Sequence, residues 1–243
     1  MIRTLLKRFL LHFGYELRKA HPETYPGIET IDVLELAVHD LMSRRGRSLT
    51  FVQIGANDGL IGDPIRRFIL EFGWKGVLVE PQPEVFDRLR KNYAGSNQLQ
   101  FEMCAIAATN GSAKFYTARE PHAINGGADT FASFDRRRLE SYARMHNATV
   151  EELSVPTMTP AHLLEKYAIN GIDLLQIDAE GYDFELLKLF DLGPAGPALI
   201  HFESGNLSPP TQKECYRYLC DRGYRVLTLC GDTLASRIPP GLD

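Results

Sequence analysis

Phe51-Val52-Gln53-Ile54-Gly55-Ala56-Asn57-Asp58-Gly59 is the stretch that decides the fold. An apolar run over Leu49–Ile54 predicts a buried strand. Two glycines four residues apart, Gly55 and Gly59, then let the backbone turn tightly and approach a ligand. Asp63-Pro64 starts a helix through about Phe72, because Asp caps and Pro suits a first turn. The same alternation continues outward. Strands are predicted at Gly76–Glu80, Gln98–Ala105, Asp173–Asp178 and Ala198–Glu203, with a final one at Tyr224–Leu229. Helices are predicted at Glu84–Tyr93, Thr159–Tyr167, Phe184–Phe190 and Thr211–Arg222. An extra strand at Lys114–Thr117 is expected to pair with Leu153–Pro156. Strands alternating with helices at this spacing imply an α/β fold, a mostly parallel sheet with helices on both faces. Right-handed crossovers bring the strand C-termini to one edge, where such sheets bind ligands.

That edge is rich in carboxylates. Strand ends carry Asp58, Glu80, Asp178 with Glu180, and Glu203. Carboxylates inside a sheet are costly to bury, so several on one rim suggest hydroxyl, amine or metal ligands. A dinucleotide loop would read Gly-x-Gly-x-x-Gly. Here Asn57 takes the second glycine's place, and the acid Asp58 beside it would repel a pyrophosphate. A cationic or zwitterionic ligand suits the loop better. Glu80, 25 residues after Gly55, stands where an acid would hold both ribose hydroxyls. A nucleoside with a positive end and no phosphate is S-adenosylmethionine.

Phe51–Gly59, Val77-Leu78-Val79-Glu80-Pro81 and Leu174–Leu187, with its Ile177-Asp178-Ala179-Glu180-Gly181 core, together resemble the FkbM-type S-adenosylmethionine-dependent methyltransferases. The resemblance runs from about residue 48 to 229. It implies a class I methyltransferase fold, Rossmann-like and seven-stranded, and O-methylation of a sugar or polyketide hydroxyl. Gln176 departs from it, since the family often has Lys before Ile-Asp. Lys-assisted chemistry is therefore not expected here.

Roles follow for single residues. Gly55, Ala56, Asn57, Asp58 and Gly59 are expected to wrap the amino-acid end of the cofactor, and Glu80 to take the ribose diol. Pro81 and Gln82 flank the adenine, and Cys104, Ala105 and Ile106 lie along it. Asp63 caps its helix, with a reach into the pocket as the second reading. Asp178 is read as an orienting group for the cofactor ammonium, a metal ligand or a base. Asp178, Glu180 and Glu203 form a candidate Mg²⁺ site of hard oxygen ligands, set against a plain helix-capping role for Glu180. His201 shares a strand face with Glu203 and has a pKa suited to a general base; the duller reading is a core histidine. Residues 119–147 look like an insertion over the active edge, a lid whose Arg136–Arg138 meet a substrate anion or simply solvent.

Composition bounds the rest. The chain is 44% hydrophobic and 24% charged with net charge −4, and its pI is near 6. That argues against gripping nucleic-acid phosphates. A nucleic-acid amino-methyltransferase would need an Asn/Asp-Pro-Pro-aromatic loop where Asp178-Ala179-Glu180-Gly181 stands. Two other readings compete: a nicotinamide-dependent oxidoreductase and a non-catalytic partner that only binds S-adenosylmethionine. The four cysteines lack any Cys-x-x-Cys pair, so reduced thiols in a cytoplasmic protein are expected. Residues 1–47 are expected to be a helical extension, and 48–243 the methyltransferase domain. Residues 1–19 carry a net +4 with a greasy helical face. Lys7, Arg8 and His12 interrupt any signal-peptide core. The plainer reading packs this helix on its own domain or a dimer mate. The other rests it on the inner membrane face, which would suit a glycolipid acceptor. The Arg44, Arg45 and Arg47 cluster reads as a solvated turn.

Overall fold

A computed structural model describes residues 33–119, 131–229 and 231–237. The basic segment 1–19 therefore lies outside the described residues. The chain falls into two compact units, Met1–Leu36 and Ala37–Asp243. The fold below is that of the second.

Helix α1 (Val33–Arg45) is followed by β1 (Thr50–Ile54), α2 (Arg66–Phe72), β2 (Lys75–Val79), α3 (Pro83–Asn92) and β3 (Leu99–Glu102). After an intervening segment come β8 (Leu174–Ile177), α6 (Asp183–Leu189), β9 (Leu199–Glu203), α7 (Pro209–Cys220), β10 (Tyr224–Leu229) and β11 (Asp232–Arg237). The seven strands form one sheet in the order β3-β2-β1-β8-β9-β11-β10. All neighbours are parallel except β11, which is antiparallel to both β9 and β10. Chain order reverses between β1 and β8, so the ligand crevice is expected at their C-terminal ends.

Tyr224–Leu229 is not the final strand. β11 turns back between β10 and β9, with Asp232 opposite both Leu229 and Glu203. Its core residues are Thr233 and Ala235, both fully buried. Small and polar inward residues leave no apolar run to read. The predicted Gln98–Ala105 strand is also broken. β3 stops at Glu102, and β4 (Ala105–Ile106) crosses to a second sheet. Cys104 and Ala105 therefore line a crossing between sheets rather than a strand end.

The second sheet has the order β4-β7-β5-β6, built from β5 (Gly111–Arg119), β6 (Ala132–Ser133) and β7 (Thr149–Met158). Lys114 faces Ser154 and Phe115 faces Leu153 in antiparallel register, as the sequence predicts for these segments. Helix α4 (Arg136–His146) packs on this sheet, and Asp135 caps it by accepting from the Arg137 N–H at 2.9 Å. Of the expected insertion, 119–147, the described residues form β6 and α4, and β5 and β7 flank it. Helix α5 (Pro160–Lys166) returns the chain to β8, capped by the Thr159 hydroxyl.

The large sheet is buried on both faces, so β1, β2 and β8 read as near-continuous apolar runs. Val52, Val77, Leu175, Ile177, Ile200 and Phe202 meet Leu163, Phe184, Leu187 and Leu219 from the helices. Each such side chain contributes about 1.5–3 kcal/mol on burial. On the other side, Trp74 stacks on Phe68 and donates its ring N–H to the Arg47 carbonyl at 3.0 Å. The arginine cluster is more than a solvated turn: Arg45 pairs with Asp173 at 2.7 Å, and Arg47 lies over Phe72. No helix among the described residues is long and apolar enough to cross a membrane.

Candidate active site

A cavity of about 300 Å³ opens at the switch point, between the ends of β1, β2 and β8 and the inner edge of the second sheet. Its size suits a small-molecule or cofactor pocket. Gly55, with φ +74°, marks the place where β1 meets the end of β8. A Cβ there would stand 1.8 Å from the Asp178 carbonyl oxygen. The close approach that demands glycine is thus made by the protein's own backbone. The Gly55 and Ala56 N–H groups both donate to the Val79 carbonyl at 3.0 Å, which ties the turn to β2.

Asn57 adopts a left-handed φ of +48° and donates its N–H to Glu80 Oε2 at 3.1 Å. Asp58 behaves differently from the sequence expectation. Its Oδ1 accepts from the Leu60 and Ile61 N–H groups, both at 2.9 Å, and closes the turn. Gly59 packs on α3, where a Cβ would strike Tyr93 and Leu89 within 2.6 Å. Gly55, Ala56 and Asn57 line the cavity; Asp58 and Gly59 do not. Asp58 is therefore a turn-former.

Glu80 is 3% exposed and faces the cavity. Oε1 accepts from the Gln82 backbone N–H at 2.9 Å and from its side-chain amide at 3.3 Å. With the Asn57 N–H on Oε2, three of about four lone-pair sites are filled. Burial pushes this carboxyl up to about 7, against the pull of those donors. The opposite wall is apolar: Pro81, Cys104, Ala105 and Ile106, with the Cys104 thiol pushed up to about 12 by burial and so unreactive. Phe134 from the insertion closes the roof, 5.1 Å from both the Phe115 and Tyr182 rings. Asp63 fulfils both of its readings. It caps through the Ile65 and Arg66 N–H groups, accepts from the Tyr93 hydroxyl at 3.0 Å, and lines the cavity.

Gln53 is a residue that sequence reasoning missed. It lines the cavity at 3% exposure, and its Oε1 has no hydrogen-bond partner among the described residues. A buried, orphaned acceptor costs free energy until a donor reaches it. Only its place two residues before Gly55 hinted at this.

Acids gather at the β8 end of the cavity. Asp178, Glu180 and Glu203 each bring one oxygen within 4.8 Å of the others. Asp178 and Glu180 line the cavity; Glu203 stands just outside it. Glu180 holds a left-handed φ of +51°. Asp183 supports this turn by accepting from the Ala179 and Gly181 N–H groups at 3.3 and 2.9 Å. So Asp183 holds the turn that precedes its helix, the helix start has no side-chain cap, and Glu180 is left for the rim. Burial pushes Glu180 up to about 8, helped by the charges of Asp178 and Glu203 and opposed by Arg138. Asp178 rises to about 6 through burial, then through Asp183 and Asp232. Glu203 rises through burial and Asp178. Asn206 donates its side-chain amide to Glu180 Oε2 at 3.0 Å and also to Glu203 Oε2. Asn206 and Asp232 carried no legible signal, one in a loop and one opening an unread strand.

His201 does not line the cavity. Its Nδ1 lies 2.7 Å from Gln176 Oε1, across the β8–β9 pair. This fits the core-histidine reading better than a general base. His201→Ala is expected to leave S-adenosylhomocysteine affinity unchanged and methyl-transfer rate within about threefold of wild type. Loss of a true general base would cost roughly 10²-fold or more, and initial rates separate the two.

The sequence profile of the Methyltransferase FkbM domain matches residues 53–226. The chain belongs to the FkbM methyltransferase family. Its members are S-adenosylmethionine-dependent methyltransferases, and the sheet order here is that of the class I fold. The crystal structure of an FkbM methyltransferase from Methylobacillus flagellatus KT is similar, at TM-score 0.50 and 12% identity. The match covers 78% of this chain but 44% of that one, so the present FkbM chain spans under half of that structure. The METTL16 methyltransferase domain is similar at TM-score 0.47 and 12% identity, covering 98% of this chain and 80% of that one. An RNA methyltransferase from Salinibacter ruber, solved with S-adenosylhomocysteine, is similar at TM-score 0.35 and 13% identity, covering 89% and 99%. No curated protein sequence matches the chain.

The cavity of this FkbM protein fits S-adenosylmethionine. Glu80 has one acceptor site left for a hydroxyl of the ribose diol. The orphaned Gln53 Oε1 and the Asp178 carboxylate suit an ammonium, and Pro81 with Cys104–Ile106 offers a flat apolar wall for adenine.

Proposed function

We propose that this chain is an O-methyltransferase that acts on a hydroxyl of a sugar, glycan or related small molecule. The observation that carries this reading is the cluster of Asp178, Glu180, Glu203 and Asn206 at the mouth of the cofactor cavity. Carboxylate oxygens accept hydrogen bonds, so they suit a neutral acceptor that presents several O–H donors. Clustered negative charge repels phosphates, which disfavours nucleic acid. S-Adenosylmethionine, when bound, supplies an electrophilic methyl group. The carboxylates orient the hydroxyl toward it and take up the proton that the oxygen loses. Glu180, with its pKa near 8, is matched to that task close to neutral pH.

The same three carboxylates suit a divalent cation such as Mg²⁺, which would lower the pKa of a bound hydroxyl. Segment 1–19, basic with one greasy face, supports a cytoplasmic protein that meets a glycolipid acceptor at the inner membrane face.

The test incubates the purified full chain with methyl-labelled S-adenosylmethionine and a panel of neutral and acidic glycans, with and without EDTA. Alkali-stable label on a neutral glycan is the expected result. Loss of transfer with EDTA assigns the carboxylates to a metal, and unchanged transfer assigns them to direct proton uptake. Label on amines or nucleic acid overturns the reading. S-Adenosylhomocysteine binding without transfer to any acceptor does so too, in favour of a non-catalytic partner.

A further inference from the structure

The insertion reaches the acid cluster through one side chain. Arg138 on α4 donates its Nη1 to the Asn206 carbonyl at 2.9 Å, across 68 residues of sequence. Its guanidinium lies on the Glu180–Gly181 turn, where a Cβ on Gly181 would stand 2.3 Å from Nη1. Asn206 in turn has two amide protons and spends them on Glu180 and Glu203. Two carboxylates this close repel each other, and a shared amide offsets that only if it is held still. Asn206 sits in a short loop. The Leu207 N–H reaches the Ser204 carbonyl at 3.0 Å, and Ser204 and Gly205 are tied to the Gly231 carbonyl. The Arg138 bond is the tie that comes from the insertion.

We propose that Arg138 is a positioning residue for methyl transfer: it holds the Asn206 carbonyl so that the Asn206 amide fixes Glu180 and Glu203 against the acceptor hydroxyl. The role rests on the reading that these carboxylates meet that hydroxyl. Arg138 does not line the cofactor cavity, so it acts on the acceptor side alone. The insertion thus completes the catalytic edge as well as roofing the cofactor.

Arg138→Met keeps the apolar stem and removes the donor and charge; Arg138→Lys keeps all three. In the full chain, Arg138→Met is expected to speed hydrogen exchange at Ser204–Leu207 and to leave S-adenosylhomocysteine affinity within about twofold. Turnover on the glycan that wild type methylates is expected to fall roughly tenfold to a hundredfold, the scale set by small misplacements of reacting groups. Arg138→Lys is expected to restore most of that turnover. Adding Arg138→Met to Asn206→Ala is expected to cost far less than the two losses multiplied, because the amide that Arg138 positions is already gone and only its direct charge on Glu180 and Glu203 remains to be lost.

Wild-type turnover in Arg138→Met, equal loss in the Lys and Met variants, or additive losses in the double variant would overturn the proposal. Should Arg138→Met not melt cooperatively, Arg138→Leu, which also lacks a donor, takes its place in the same comparison. If wild type methylates nothing, the functional reading fails while the exchange comparison still decides whether Arg138 holds the loop.

Discussion

Glu80→Ala is expected to lower S-adenosylhomocysteine affinity by about 10- to 100-fold, enough to weaken a calorimetric signal sharply. A hydrogen bond to a charged group contributes about 1.5–3 kcal/mol, and Glu80 keeps one acceptor site open for a ribose hydroxyl. One such bond converts to roughly 10–10² in affinity. The variant also strips the Asn57 and Gln82 N–H groups of their acceptor, which loosens the turn that shapes the cavity. Retained micromolar affinity would show that the diol is held elsewhere.

The same residue sets a pH dependence. The Glu80 pKa in the fold is about 7, above the ordinary 4.5. A raised pKa means that the fold prefers the protonated form. The stability it contributes is present below pH 4.5 and is lost as pH rises through about 7. The loss is on the order of 3 kcal/mol. Asp178, Glu180 and Asp183 are raised as well and act with the same sign, over a window reaching about pH 8. Melting of the cofactor-free protein should therefore fall as pH climbs from about 5 to 8. Glu80→Ala should flatten that slope; an unchanged slope would assign the dependence to the β8 acids.

Gly55→Ala is expected to destabilise the fold by more than about 4 kcal/mol, in the range reserved for named structural breaks. The new methyl carbon would stand 1.8 Å from the Asp178 oxygen and 2.9 Å from its carbonyl carbon. Both contacts are backbone, so no side chain can swing away. Relief requires β1 and β8 to part, which breaks the bond from the Asp178 N–H to the Ile54 carbonyl. Gly73→Ala is the control. Its φ of +62° is also left-handed, yet nothing lies within 4 Å of the added carbon. It should cost only the roughly 1–2 kcal/mol of left-handed strain. Urea midpoints compare the two, and similar shifts would show that conformation rather than contact makes Gly55 necessary.

Most of the sheet was legible because its strands are buried on both faces and announce themselves as apolar runs. β11 was not, since Thr233 and Ala235 fill a narrow space with little hydrophobic bulk. The β3–β4 break was also hidden, because an apolar run does not say which sheet each half joins. Asp58 stands beside the glycine turn in the sequence, but two backbone N–H groups claim its carboxylate. The acids that face the cavity are Asp63, Glu80, Asp178 and Glu180.

By itself, the sequence determined the alternation of strands and helices, the two glycines at the β1 turn, and the acids at the strand ends. These are local facts, set by periodicity, backbone freedom and the cost of burying charge. Only the tertiary structure decided which acids face the cavity. It also brought Gln53 to the wall with its Oε1 unpaired among the described residues, and joined Arg138 and Asn206 to Glu180 and Glu203. Those assignments depend on which backbone groups and side chains reach each other from distant parts of the chain, and no local pattern encodes a distance between them.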